Sequence, residues 1–197
     1  MVRAARDLFW ERGYELTSVD HVERRTGLNR SSLYQAFGSK RGLFNAALDR
    51  YIDEVTGELL SGLTKTGGGT TAVVEFFRRL ARSFRADPAG AARGCLLVNS
   101  IAELGGRDPD VARVAAAHRD RLREAFAVAL GAGANGSPPE LIAKRAKLLA
   151  ATAMGAFLTA RLDPGDAADL CDAVADEVST WASPAPVHRT GRPKAHR

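Results

Sequence analysis

A short polar segment near the N-terminus carries side chains suited to contacts with a polyanion. Between Thr26 and Phe44 the chain has the sequence TGLNRSSLYQAFGSKRGLF, with three basic residues and no acidic one. Serine and tyrosine hydroxyls bond phosphate oxygens, glutamine pairs with the edge of adenine, and arginine or lysine neutralises phosphate. These residue types predict nucleic-acid binding rather than covalent chemistry.

Two short helices are predicted to hold these side chains. Thr17-Ser-Val-Asp20 has the pattern of a capping box that opens the first helix, and Gly27 is placed to end it. Asn29 can cap the second helix, which keeps Leu33 and Phe37 on its buried side. A tight turn between two short helices in a basic segment is the helix-turn-helix arrangement, whose second helix enters the DNA major groove.

The direction of each side chain on the second helix decides which of them can contact DNA. Successive residues turn by about 100° around a helix axis, so an inward Leu33 sends Ser31 and Gln35 outward. Ser32 and Tyr34 flank that outward face. Gln35 is therefore the predicted base-reading residue, since its amide can pair with adenine.

Two helix starts add candidate phosphate sites. Thr17 and Ser18 open one helix, and Ser39 and Lys40 open the helix that follows the segment. Free backbone N–H groups and the helix dipole favour an anion at each start, and Lys40 adds a full charge. Arg30 lies nearer the inward side by angle, but its length allows it to reach a phosphate or a guanine.

The basic excess lies at the two ends of the chain. The net charge is +5: residues 1–51 contribute +3, residues 182–197 contribute +4, and residues 52–181 contribute −2. Such asymmetry indicates a polyanionic partner. On charge alone, a solvated basic face on an ordinary helical protein explains the segment equally well.

The fold class predicted for the whole chain is all-α. Hydrophobic spacing is helical nearly everywhere, and no convincing alternating strand is present. A three-helix helix-turn-helix DNA-binding domain is assigned to residues 1–45, and a helical ligand-binding and dimerisation bundle to residues 46–182. One long helix is expected from about residue 40 to residue 63. The Pro-rich basic tail, 183–197, is expected to be disordered.

Signatures of catalysis are missing from the sequence. It has no nucleophile elbow, phosphate loop, dinucleotide fingerprint or metal-binding histidine pair, so we expect no enzyme, no cofactor and no metal. Two distant cysteines give no disulfide framework, and no apolar run has the length of a signal-peptide core or a membrane span. These features predict a soluble, cytoplasmic protein without a membrane partner.

Three segments of the N-terminal region resemble the DNA-binding domain of the TetR family of transcriptional regulators. They are LFWERGY at 8–14, TSV at 17–19 and GLNRSSLYQAFGSKRGLF at 27–44. The resemblance implies a homodimeric repressor that binds a near-palindromic operator and releases it when a small molecule binds the C-terminal domain. By position, the resemblance assigns the family's DNA contacts to Thr17, Ser18, Arg30, Ser31, Ser32, Tyr34 and Lys40.

The C-terminal bundle carries weaker signals for an effector and a dimer. Predicted ligand contacts are three polar or reactive side chains and one aromatic: Cys95, Asn99, His118 and Phe157. Predicted interface residues lie on the apolar faces of the last two helices: Met154, Leu158, Leu170, Val174, Val178 and Trp181. Packing within one chain is the alternative for each residue of both sets.

Two alternatives to a ligand-released repressor stay open. TetR-family members usually have a basic arm before the position of Met1, so one alternative is a helical small-molecule-binding protein with weak or lost DNA binding. The tail segment 190–194, TGRPK, resembles the opening of such arms and is a candidate for the minor groove. The other alternative is a redox-responsive regulator, because Cys95 follows Arg93 and a nearby cation lowers the pKa of a thiol.

Overall fold

Helices make up all the regular structure in the part of the chain that can be described. The computed structural model describes residues 1–65, 68–133 and 137–181, and each regular element in these ranges is helical, which confirms the all-α prediction. The helices are α1 Val2–Arg12, α2 Val19–Thr26, α3 Arg30–Phe37, α4 Lys40–Tyr51, a π-helical turn Ile52–Thr56, α5 Gly57–Lys65, α6 Gly69–Ala86, α7 Pro88–Ala91, α8 Leu96–Leu104, α9 Pro109–Ala132, α10 Pro139–Ala160 and α11 Pro164–Thr180. Over the described residues, no helix is long and apolar enough to cross a membrane. The tail predicted to be disordered, 183–197, lies outside these ranges.

Local hydrogen bonds fix the ends of the helix-turn-helix. The Asn29 side chain accepts from the backbone N–H of Ser32 at 2.8 Å and caps α3, as predicted. The capping box of α2 lies one residue later than predicted: Ser18 is the cap, and its side chain accepts from the backbone N–H of His21 at 3.1 Å. His21 completes the box, since its Nδ1 accepts from the Ser18 backbone at 3.2 Å. Gly27 ends α2 in the left-handed conformation, with φ of 73°.

A π-helical turn interrupts the long helix expected from residue 40 to residue 63. The α-helix α4 ends at Tyr51, the turn runs over Ile52–Thr56, and α5 continues to Lys65. Apolar residues spaced three and four apart suit either kind of turn, so the hydrophobic pattern gives no sign of the change. Such single π turns are frequent at functional sites. The predicted boundary between residues 45 and 46 lies inside α4.

The buried residues form two hydrophobic cores. The first core contains residues of the N-terminal helices and of α8. Phe9, Leu33 and Phe44, from α1, α3 and α4, lie in one buried cluster with Leu97 of α8. The Phe9 and Phe44 rings meet edge to face, with their centres 5.1 Å apart. The helix-turn-helix is therefore packed directly on an element of the C-terminal bundle.

The second core lies among α5, α6, α9, α10 and α11. Phe76 and Phe77 of α6 surround Phe126 of α9, with ring centres 5.1 Å and 5.9 Å from it. Arg78 and Arg85 on α6 both pair with Asp172 of α11, at 2.5 Å and 2.7 Å. The ion pairs border the apolar contact between α6 and α11 and help to set the register of these two helices.

Candidate nucleic-acid interface and inner cavity

The outward face of α3 is polar and unpartnered. Ser31, Tyr34 and Gln35 are exposed, with 48% of Tyr34 accessible to solvent. In the described chain these three side chains form no hydrogen bond with other residues. Ser32 is half-buried beside them, and Leu33 is fully buried beneath. The structure thus gives α3 the orientation that the helical angle predicted.

Arg30 extends from the first turn of α3 towards α2. Its guanidinium lies 3.0 Å from a carboxylate oxygen of Asp20, and the two side chains are 62% and 63% exposed. An ion pair this exposed contributes about 0–1 kcal/mol. An anion from outside the chain can therefore replace Asp20 beside the Arg30 guanidinium at little cost.

Thr17 differs from its predicted role. The residue is fully buried, and its hydroxyl donates to the carbonyl oxygen of Gly13 at 2.6 Å. The Thr17 side chain therefore closes the turn between α1 and α2 rather than facing solvent. Ser18 remains exposed at the start of α2, where its hydroxyl also serves as the cap.

Lys40 bridges the start of α4 and the turn between α1 and α2. Its Nζ donates to the carbonyl oxygens of Tyr14 and Thr17, each at 2.9 Å, and lies 4.1 Å from the centre of the Tyr14 ring. Charge-assisted hydrogen bonds and a cation–π contact hold this ammonium in one place. The positive charge thus lies between two of the predicted phosphate sites, the starts of α2 and α4.

Glu103 of α8 anchors the same turn from the other side, and sequence reasoning missed it. Its two carboxylate oxygens accept from the backbone N–H groups of Tyr14 and Glu15, at 3.0 Å and 2.8 Å. Gly13 makes this approach possible: its φ is 78°, and a Cβ there would lie 2.8 Å from the Glu103 carboxylate. The contact spans 89 residues of sequence, so no local pattern points to it.

Two further contacts join the helix-turn-helix to the C-terminal bundle. The indole N–H of Trp10 donates to the Arg93 carbonyl oxygen at 3.1 Å, and the Arg93 guanidinium lies 4.3 Å from the indole ring centre. Arg41 at the start of α4 pairs with Asp108, the cap of α9. The Arg41 guanidinium lowers the pKa of the Asp108 carboxyl. The helix-turn-helix is therefore held to the C-terminal bundle by polar contacts at several points as well as by the shared core.

An inner cavity lies where α4 and the π turn meet α8, α9 and α10. Its lining includes Tyr51 and Thr56, Cys95 and His118, and Met154 and Phe157. Three predicted ligand contacts, Cys95, His118 and Phe157, are thus brought together. The side chains that line the cavity include no Asp, Glu, Lys or Arg. The space that a water-sized sphere can reach is about 20 Å³, close to that of one water molecule.

His118 is a polar residue on the otherwise apolar buried face of α9. It is 6% exposed, and its Nδ1 is buried without a hydrogen-bond partner. Burial, followed by the nearby Arg121, lowers the pKa of the imidazole to about 4, so the ring is neutral at pH 7. A buried ring nitrogen without a partner is costly, and a bound molecule can supply the missing hydrogen bond.

Asn99 does not join this cavity. Its amide nitrogen donates to the Arg93 carbonyl oxygen at 2.9 Å, and the residue lines a separate groove beside Trp10 and Arg161. The step of about 100° around the α8 axis from Val98 to Asn99 turns the Asn99 side chain away from the cavity that Val98 lines. The prediction that Asn99 contacts the same ligand as Cys95 is therefore not supported.

Cys95 lacks the surroundings of a reactive thiol. It is 5% exposed, and burial raises the pKa of its thiol despite a hydrogen bond from Tyr51 that acts in the opposite direction. A high pKa leaves little thiolate, the nucleophilic form. The Arg93 guanidinium is directed over Trp10 instead. These contacts do not favour a redox switch at Cys95.

The predicted dimer residues divide into exposed and internal ones. Leu158 of α10 is 52% exposed, whereas Leu170, Val174 and Trp181 are partly buried against the second core. Val178 is 1% exposed within the single chain, so its prediction as an interface residue is wrong. Val178 lies inside the second core, and hydrophobic spacing alone cannot distinguish a residue that faces the core from one that faces a second copy.

Comparisons with known proteins agree with this geometry. Residues 1–47 match the family model of bacterial regulatory proteins, tetR family. The uncharacterized HTH-type transcriptional regulator YezE of Bacillus subtilis is 31% identical over 126 residues, 64% of each protein. The HTH-type transcriptional repressor ComR of Escherichia coli is 34% identical over 109 residues, which are 55% of this chain and 51% of ComR. The matches thus span between about half and two thirds of these relatives.

A solved structure extends the likeness to the whole fold. A cysteine mutant of the TetR-family regulator CifR, complexed with 26-base-pair operator DNA, superposes with a TM-score of 0.69. It is 25% identical in sequence, and the match covers 90% of this chain and 92% of that one. The fold and the exposed polar face of α3 therefore resemble those of helix-turn-helix regulators. Residues 1–47 thus resemble the N-terminal domain of the tetR family, and the chain as a whole resembles the TetR-family regulator CifR in fold.

Proposed function

We propose that this chain is a homodimeric transcriptional repressor that binds a near-palindromic operator and releases it when a small molecule binds. The observation that carries the proposal is the exposed, unpartnered polar face of α3, formed by Ser31, Tyr34 and Gln35. Packing of Leu33 against the first core holds that face rigidly outwards. A recognition helix requires this combination of a fixed backbone and free hydrogen-bonding groups.

Phosphate contacts would come from the positions that surround α3. Ser18 at the start of α2, Arg30 in its weak pair with Asp20, and Lys40 lie around the recognition helix. These groups position the protein on the duplex, while Gln35 reads a base. CifR, of similar fold, is seen on its operator DNA, which supports the same use of α3 here.

An exposed apolar stripe along α10 supports a homodimer. Leu141, Leu148 and Leu158 are 37%, 59% and 52% exposed, and Gly155 between them has open space around its Cβ position. A second copy that covers this stripe would bring two α10 helices together as an isologous interface. Two α3 helices one DNA turn apart, about 34 Å, would then read a two-fold-symmetric site.

The position of the inner cavity supports a route by which a bound effector would act on α3. Tyr51 and Thr56 in its wall belong to α4 and the π turn, and α4 begins at Lys40 beside the recognition helix. A ligand larger than the present free space must displace part of that wall. It would then favour a dimer in which the two α3 helices no longer match the operator spacing, to the extent that its affinity differs between the two states.

A band-shift titration tests the proposal. The full chain is titrated onto promoter DNA at low and high salt, and onto a scrambled duplex of the same composition. We expect a discrete complex on a palindromic site, with affinity that falls steeply with salt. A variant with Ser31→Ala and Gln35→Ala should lose the preference for that site, whereas Glu124→Ala on the exposed face of α9 should not. Failure to protect any palindromic site at low salt would refute the proposal.

A further inference from the structure

We propose that the inner cavity takes a neutral, single-ring apolar molecule that carries one hydroxyl group, and that His118 hydrogen-bonds that hydroxyl. This inference rests on the proposed function for its biological meaning, because it specifies the effector of the same regulator.

The lining excludes a charged ligand. No acidic or basic side chain lines the cavity, so a carboxylate or an ammonium group would be buried there without an opposite charge. Burial of an unpaired charge costs far more than a hydrogen bond returns. The apolar lining, with Leu122 and Val98 beside the aromatic rings of Tyr51 and Phe157, instead suits a hydrocarbon ring.

His118 supplies the polar point of recognition. Its buried Nδ1 has no hydrogen-bond partner, and burial keeps the imidazole uncharged at neutral pH. A hydroxyl both donates and accepts, so it can satisfy this nitrogen whichever tautomer the neutral ring adopts. One such bond contributes about 1 kcal/mol net, or roughly a fivefold to tenfold gain in affinity.

The side chains that close the cavity limit the size of the ligand and determine the route by which it enters. A water-sized sphere reaches only about 20 Å³ of the cavity, so a ring enters only if side chains of the wall move. Val55, Leu59 and Phe157 line both the cavity and an open groove beside Phe84. Met154, a flexible side chain, also lines the cavity. Rotation of Phe157 and Met154 would open room for one ring.

Titration calorimetry on the full chain tests the inference with three probes that share a ring: p-cresol, toluene and 4-methylbenzoate. We expect p-cresol to bind about five to ten times more tightly than toluene, and 4-methylbenzoate to bind far more weakly than either. In a His118→Leu variant the preference for p-cresol over toluene should disappear while toluene still binds. Comparison of two probes within one variant separates loss of the hydrogen bond from a change of packing.

A second readout covers the case in which His118→Leu does not fold. In the unmodified chain, the imidazole NMR signal of His118 should shift on addition of p-cresol and much less with toluene. Equal affinity for p-cresol and toluene, tighter binding of 4-methylbenzoate, or no binding of any probe would overturn the inference. These titrations contain no DNA, so they can fail while the operator band shift succeeds, and the two proposals are judged separately.

Discussion

The ammonium group of Lys40 lies 4.1 Å from the centre of the Tyr14 ring and 2.9 Å from the Tyr14 carbonyl oxygen. Two helices, α1 and α4, are thereby joined at the turn that precedes α2. The same charge lies at the helix start where a DNA phosphate is proposed to bind. Lys40 is therefore expected to matter for the stability of the domain as well as for its affinity for DNA.

Lys40→Ala should weaken binding to all DNA sequences alike and should also destabilise the folded domain. Loss of two charge-assisted hydrogen bonds and a cation–π contact is expected to lower the free energy of unfolding by about 1–3 kcal/mol. Denaturant unfolding and band shifts on operator and scrambled DNA measure the two effects. Arg24→Ala removes an equal charge from an exposed position of α2 without such contacts, so its unfolding should stay within about 0.5 kcal/mol. Equal stability of the two variants would contradict the role of Lys40 in the fold.

Gln35→Ala should change which sequence the protein prefers rather than only how tightly it binds. A base contact of a side chain contributes about 1–3 kcal/mol of discrimination against the wrong base. Selection from a random duplex pool should show one relaxed position in each half-site. Arg30→Ala, which removes a proposed phosphate contact from the same helix, should lower affinity and leave the selected sequence alone. An unchanged preference in Gln35→Ala would remove the base-reading assignment.

Glu103→Ala should loosen the turn that carries Tyr14 and Glu15. Both backbone N–H groups lose a charged acceptor, and a bond of this kind contributes about 1.5–3 kcal/mol. Amide hydrogen exchange at these two residues should therefore speed up by roughly 10- to 150-fold. Glu124→Ala, a carboxylate removed from the exposed face of α9, is the matched control and should leave that exchange unchanged. Equal protection in both variants would show that Glu103 does not restrain the turn.

Acid should destabilise the protein through His118. Its pKa is lowered from 6.5 to about 4 on folding, so the unfolded chain binds more protons than the folded chain between these values. The free energy of unfolding should fall as pH drops through that window, by at most about 3 kcal/mol from this group, with no contribution above it. His118→Gln should lack the effect, measured as the difference between variant and parent at each pH. The charged residues of the neighbouring groove, Asp49, Asp53, Arg113 and Arg121, are common to both proteins and cancel in this difference. A constant difference from pH 7 to pH 4 would refute the assignment.

Much of the helix-turn-helix could be predicted because its ends depend on neighbours in sequence. Asn29 caps α3 through a residue three positions on, and Gly27 ends α2 by adopting a positive φ. The burial of Leu33 and the exposure of Gln35 follow from the helical angle once the helix is assigned. Helical periodicity therefore predicts which side chains of α3 point inwards and which point outwards, even when the element that packs against the helix is unknown.

The residues whose predicted roles differ from the structure are those whose surroundings come from other parts of the fold. Thr17 was expected to face DNA but is buried in the turn that it closes, and Val178 was expected at an interface but is buried in the second core of its own chain. Asn99 is one position further along α8 than Val98, and that step takes it out of the cavity. The type of a residue in the sequence is the same whether its side chain contacts another helix, a ligand or a second copy of the chain.

The sequence by itself determined the helical class, the cap of α3 and the outward polar face of α3, because each of these rests on hydrogen bonds and angles within a few residues. Only the tertiary structure decided that Glu103 holds the turn beside α2 and that His118 and Cys95 share a cavity with Phe157. Those contacts join residues distant in the chain, and close packing of helices, rather than any local preference, selects which of them meet.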